Sequence, residues 1–119
     1  MSSATLVSIV MPTYKFEYFE EALDSVLGQT YPELELIICD DSEDGRIAAL
    51  VEEKRASAAF PIRYHRNETR LGELGSTARG IRLAEGEYVK FLHDDDVLQP
   101  ECVEALVGVM EREPNVVLA

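Results

Sequence analysis

The chain has 119 residues, 46% of them hydrophobic and 29% charged, the balance of one folded domain rather than a disordered segment. A formal net charge of -12 leaves no basic surface able to dominate, which excludes nucleic acid as an expected partner. The longest apolar runs are strand-sized, no signal peptide is visible, and Cys39 and Cys102 fit neither a disulfide framework nor a zinc site. No membrane segment is therefore expected, and the predicted setting is a reducing, cytoplasmic one.

Leu6 to Met11 is a β-branched apolar run closed by Pro12, as in a buried strand. Phe19, Ala22, Leu23, Val26 and Leu27 then fall on one helical stripe, which Gly28 and Pro32 end. Leu34 to Cys39 is a second strand, followed by the polar loop Asp40-Asp41-Ser42. The pattern predicts a helix over Arg46 to Ala59, a strand over Ile62 to His65, and a polar loop ending near Gly72. Leu74, Ala78, Ile81 and Ala84 carry another helical pattern, and Gly86 ends it. Tyr88 to Leu92 reads as a buried central strand, Pro100 to Glu113 as a helix, and Val116 to Ala119 as the start of a fifth strand. Alternating strands and helices with short connections predict an α/β fold: a mostly parallel, doubly wound sheet with helices on both faces. Residues 1–119 form a single expected domain, and the unfinished last strand reads as a piece of a longer protein with a sheet edge open to homodimer pairing.

The acids are placed where such a sheet binds ligands. Asp94, Asp95 and Asp96 follow a strand and precede a helix, so they lie at the carboxyl end of the sheet. Adjacent carboxylates repel, and a hard divalent cation relieves the repulsion while substrate phosphates fill its other positions. A solvated acidic turn is the bland alternative for the three acids taken alone. Pro12-Thr13-Tyr14 and Asp40-Asp41-Ser42 end two other strands and converge on the same crevice. A carboxylate accepts the N–H of a nucleobase, so Asp41 is assigned the base, Asp94 the ribose and Asp95 the metal. For Asp40 the competing reading is local turn chemistry, and for Thr13 and Tyr14 ordinary loop packing. Arg70 and Arg79 stand on the basic middle of the chain, where residues 46–92 carry nine bases, and either could approach phosphate. His93 abuts the acids as a metal ligand or a neighbour of one, while His65 reads as structural. Neither a Gly-x-Gly-x-x-Gly after the first strand nor a P-loop is present.

Four stretches in order carry a resemblance: residues 7–14, Val-Ser-Ile-Val-Met-Pro-Thr-Tyr; residues 22–31, Ala-Leu-Asp-Ser-Val-Leu-Gly-Gln-Thr-Tyr; residues 36–42; and residues 84–100 with the three acids. Together they resemble the opening of glycosyltransferase family 2. The resemblance implies a GT-A, Rossmann-like nucleotide-sugar fold, a Mn²⁺ or Mg²⁺ ion, and inverting transfer from a nucleotide-diphosphate sugar, a UDP-sugar being favoured. It implies that Pro12, Thr13, Tyr14 and Asp41 line the nucleoside pocket, with Arg79 and Asp94 also in the nucleotide-sugar site. Asp95 and Asp96 are then the metal carboxylates. It also implies that the catalytic base lies downstream of this chain, which then supplies the donor-binding half and no turnover of its own. Three departures stand out: Lys15 follows Tyr14 where the family has Asn, His93 takes the first acidic position, and Ser76-Thr77-Ala78 replaces Ala-Arg-Asn before Arg79. A noncatalytic nucleotide-sugar-binding module is the alternative. A phosphoacceptor receiver domain fits poorly, because it wants a lysine on a late strand and none follows Lys90.

Overall fold

A computed structural model describes residues 5–112. In chain order the elements are β1 (Val7–Thr13), α1 (Phe19–Leu27), β2 (Leu34–Asp40), α2 (Arg46–Arg55), β3 (Ile62–Arg66), α3 (Gly72–Leu83), β4 (Tyr88–Phe91) and α4 (Cys102–Arg112). The predicted strand over Val116 to Ala119 lies outside the described residues.

The four strands pair in the order β3-β2-β1-β4, every pair parallel. Parallel strands need crossovers, and right-handed ones put α1 and α2 on one face and α3, which leads back across to β4, on the other. The packing agrees. Val7, Ile9 and Met11 of β1 and Leu34, Leu36 and Ile38 of β2 join one core with Phe19, Leu23 and Val26 of α1, Ile47 and Val51 of α2, and Val103 and Val107 of α4. Residues of the alternate parity, Ser8, Val10, Glu35 and Ile37, are buried too but face α3.

Three elements differ from the sequence expectation. β1 runs through Pro12 to Thr13 because its pairing with β4 stops at Val10, so a missing N–H two residues on costs no ladder bond. β4 is half-buried, not a fully buried central strand, since among the described residues only β1 pairs with it. On α3 the residues packed inward are Ser76 and Gly80, while Leu74 is 86% exposed and Ile81 is exposed. A small face is what the site requires: a Cβ built on Gly80 would lie 2.2 Å from Val10 Cγ1.

A buried polar network closes the amino end of the sheet. Glu35 accepts hydrogen bonds from Ser8 Oγ (2.6 Å), Glu85 N–H (2.7 Å) and Arg63 (3.0 Å), and Ser8 Oγ in turn accepts from Gly86 N–H. Burial pushes the Glu35 carboxyl up, but the bonds from Ser8, Glu85 and Arg63 outweigh it and hold the pKa below the usual value. A depressed folded pKa contributes stability above the unfolded pKa that is lost as pH falls through the folded one. Glu35→Gln is therefore expected to cost about 1–2 kcal/mol at neutral pH, and the gap from wild type should close below about pH 4. Urea unfolding at both pH values measures this, and a gap that persists in acid would contradict the assignment.

Candidate functional site

The row order places β1 at a switch point: the chain leaves β1 toward β2 and β3, and β4 returns on its other side. In such sheets ligands bind at the carboxyl ends of the two strands flanking that point. A cleft of about 440 Å³ opens there. Pro12, Thr13, Tyr14 and Lys15 line it from the end of β1, Asp41 from β2, Arg70, Gly72 and Glu73 from the start of α3, and His93, Asp94 and Asp95 from beyond β4.

The register brings these residues to one level. Thr13 pairs with Asp40 and Asp40 with Arg66, so the β1, β2 and β3 loops start together. Leu92 N–H donates to the Val10 carbonyl, which carries the acidic loop up alongside Thr13. There Asp94 Oδ2 accepts the backbone N–H groups of Tyr14 (2.7 Å) and Lys15 (2.8 Å). Successive N–H groups on one carboxylate oxygen form a small anion nest, so the acidic loop and the β1 loop are fixed to each other.

Asp41 is 7% exposed and the most heavily bonded acid of the cleft. Its Oδ1 accepts from Asn67 Nδ2 (2.6 Å) and Leu71 N–H (3.0 Å), and its Oδ2 from Gly72 N–H (2.8 Å). Burial alone would raise its pKa; the bonds from Leu71, Asn67 and Gly72, with the charge of Arg70, hold it below the ordinary range. Gly72 adopts φ +76°, a left-handed conformation that lets the chain turn its N–H onto the carboxylate before entering α3. Asp40 follows the local-turn reading instead, with Oδ1 accepting Ser42 N–H at 2.8 Å and Oδ2 accepting the Tyr64 hydroxyl.

Thr13 Oγ1 is buried and has no hydrogen-bond partner among the described residues. A buried hydroxyl without a partner is costly, and this one belongs to a residue that lines the cleft. Arg70 stacks over the Tyr14 ring, 4.0 Å from its centroid, and His93 Nδ1 lies 2.6 Å from a Glu73 carboxylate oxygen. Together these pairs join the α3 side of the cleft to the β1 and β4 side.

Of the residues expected from sequence, Pro12, Thr13, Tyr14, Asp41, Asp94 and Asp95 all line the cleft. Arg79 and Asp96 do not. The Arg79 guanidinium donates to Asn67 Oδ1 (2.6 Å) and the Arg66 carbonyl, behind Asp41. Asp96 is exposed on the turn that its N–H closes onto the His93 carbonyl. Sequence reasoning passed over Asn67, Ser76, Glu73 and Gln29. Gln29 bonds the Gln99 carbonyl with Nε2 and caps α4 by accepting Val103 N–H at Oε1, so α1 braces the far end of the acidic loop. Its signal was present only in the quoted Gly-Gln-Thr-Tyr stretch, which by itself reads as a helix end.

The model of the family described as "Glycosyl transferase family 2" matches residues 8–119. The chain belongs to this family. Family 2 relatives include an "Uncharacterized glycosyltransferase" of Haemophilus influenzae, 37% identical over 112 residues, which cover 93% of this chain and 36% of that protein. The "UDP-Glc:alpha-D-GlcNAc-diphosphoundecaprenol beta-1,3-glucosyltransferase WfgD" of Escherichia coli is 33% identical, covering 88% of this chain and 41% of the relative. Among solved structures, S. aureus TarS 1-349 in complex with UDP-GlcNAc superposes with a TM-score of 0.84 at 27% identity, over 92% of this chain and 32% of that one. The fold is thus that of the GT-A transferases, of which this family 2 chain forms a part. It spans about a third of the length of the Haemophilus relative.

Proposed function

We propose that the cleft binds a nucleotide-diphosphate sugar, a UDP-sugar, and that this chain is the donor side of a glycosyltransferase. The observation that carries the reading is the make-up of one cleft wall, in which the buried Asp41 and partnerless Thr13 Oγ1 stand beside the acidic loop of Asp94 and Asp95. Asp41 and Thr13 supply an anionic acceptor and a hydroxyl for the base, Tyr14 an aromatic wall, and Asp94 the ribose contact through Oδ1. The UDP-Glc in the name of the Escherichia coli relative and the UDP-GlcNAc complex of S. aureus TarS support the same choice of nucleotide.

The residues present fit a divalent ion. The described residues contain no group of three or more His, Cys, Asp or Glu side chains able to hold a metal by themselves. Mn²⁺ or Mg²⁺, which needs few protein ligands, would be held by Asp95, the carboxylate of the Asp95 and Asp96 pair that lines the cleft, with the ligand's diphosphate oxygens beside it. When bound, the ion supplies Lewis-acid stabilisation of the departing diphosphate. The chain's own residues orient the donor: the Tyr14 and Lys15 N–H groups hold Asp94 in place, and Gln29 braces the following turn. The relatives are longer, and we assign to the remainder the acceptor site and the base that takes the acceptor hydroxyl's proton.

Calorimetric titration of UDP into this chain, with and without Mn²⁺, tests the reading. Binding should need the ion, and Asp95→Ala should abolish the ion's contribution, a loss of about 10-fold or more in affinity. UDP binding indifferent to both would contradict the metal assignment, and a folded chain that binds no nucleoside diphosphate would contradict the donor site.

A further inference from the structure

A carboxylate offers about four lone-pair sites. On Asp41 three are taken: Oδ1 accepts from Asn67 and from Leu71 N–H, and Oδ2 from Gly72 N–H. One site remains among the described residues, on Oδ2. Which site stays free depends on Asn67, a buried side chain whose amide gives one hydrogen to Asp41 and the other to Ser76 Oγ at 2.9 Å. The hydrogen-bond network assigns that orientation, because the amide oxygen receives the Arg79 guanidinium at 2.6 Å. A flipped amide would turn its carbonyl onto the carboxylate and its NH₂ onto the guanidinium, two repulsive contacts in place of two favourable ones. Arg79 is in turn held by the Arg66 carbonyl and does not line the cleft.

We propose that Arg79, acting through Asn67, is a positioning residue that sets nucleobase selectivity by leaving Asp41 a single acceptor site. The inference rests on the donor-site reading given above and adds the class of base. A base presenting one N–H between two carbonyls, as uracil does at N3, matches one free site. Guanine presents its ring N–H and 2-amino group side by side and would leave one donor unpaired in a desolvated cleft. Cytosine presents a ring nitrogen lone pair, which the carboxylate repels.

The test measures affinities of the 119-residue chain for UDP, CDP, GDP and 3-methyluridine diphosphate at fixed Mn²⁺, with pyrophosphate as a base-free control. The expected result is that UDP binds about 10-fold or more tightly than each of the others. Arg79→Met, which keeps the bulk and removes the cation that fixes Asn67, frees a second acceptor site and should bring the UDP to GDP ratio toward one. Arg79→Lys, which can still donate to Asn67, should keep most of that ratio. Equal binding of UDP and 3-methyluridine diphosphate, or an unchanged ratio in Arg79→Met, overturns the proposal while leaving the donor site standing. Failure of the wild-type chain to bind any of the four nucleotides overturns both. Should Arg79→Met not fold, Asn67→Ala, which frees the same Oδ1 site directly, takes its place: a UDP to GDP ratio that falls toward one supports the proposal, and an unchanged ratio overturns it.

Discussion

Replacing Asp41 by asparagine is expected to lower UDP affinity about 100-fold and to cost about 2 kcal/mol of stability. The new amide keeps one oxygen for Asn67 and Leu71 N–H, but its NH₂ then faces Gly72 N–H, donor against donor. The same NH₂ faces the N–H of the base, so the ligand loses a charge-assisted bond and meets a repulsive one. Calorimetry with UDP and urea unfolding separate the two losses. The wild-type carboxyl stays charged below the ordinary carboxylate range, so its contribution to stability is present above the unfolded pKa and disappears only as pH falls through the depressed folded one. UDP affinity unchanged in Asp41→Asn would remove Asp41 from the base site.

Gly86→Ala should be more damaging to the fold, by about 3 kcal/mol or more. A Cβ at Gly86 would stand 2.6 Å from Ser8 Oγ, 2.7 Å from Ser8 N and 2.8 Å from the Leu6 carbonyl. Two of those atoms are backbone at the start of β1, which is buried along its whole length and cannot retreat. Relief must come from β4, which Gly86 precedes and which carries the acidic loop. The variant is therefore expected to lose UDP affinity as well as stability, although Gly86 lies at the opposite end of the sheet from the cleft. Chemical denaturation that matches wild type would show that β4 docks more loosely than this packing implies.

Burial on both faces leaves β2 a long apolar run, so Leu34 to Cys39 was read within one residue of it. Ile62 to His65, half-buried and polar in part, was still read within one residue of β3 because Pro61 marks its start. Helix ends were less legible. α2 stops at Arg55 rather than Ala59, where Ser57 and Ala58 N–H groups turn back onto the Lys54 and Arg55 carbonyls. α4 begins at Cys102 rather than Pro100, whose carbonyl accepts Thr30 N–H from the end of α1. The inner face of α3 was not legible at all. Periodicity favours Leu74 and Ile81, whereas close approach to Val10 selects Ser76 and Gly80.

The acids of the site could be read because strand-end loops in a doubly wound sheet converge. The groups behind them could not. Asn67 and Arg79 act on Asp41 from β3 and α3, and Gln29 reaches the acidic loop from α1. These are contacts between residues far apart in sequence, for which a local pattern holds no signal. Asn67 reads as one polar residue in a polar loop, and Arg79 reads as a phosphate contact, whereas its guanidinium is held by Asn67 and the Arg66 carbonyl behind Asp41.

The most direct measurement is a titration of the ¹⁵N-labelled chain with UDP and Mg²⁺, followed by backbone amide NMR. The account predicts shifts at Thr13, Tyr14, Asp41, Gly72, Asp94 and Asp95, with Ser8, Glu35 and Arg63 at the other end of the sheet unmoved. Saturable binding that leaves the first group still, or that maps to the second, would contradict a nucleotide site at the switch point.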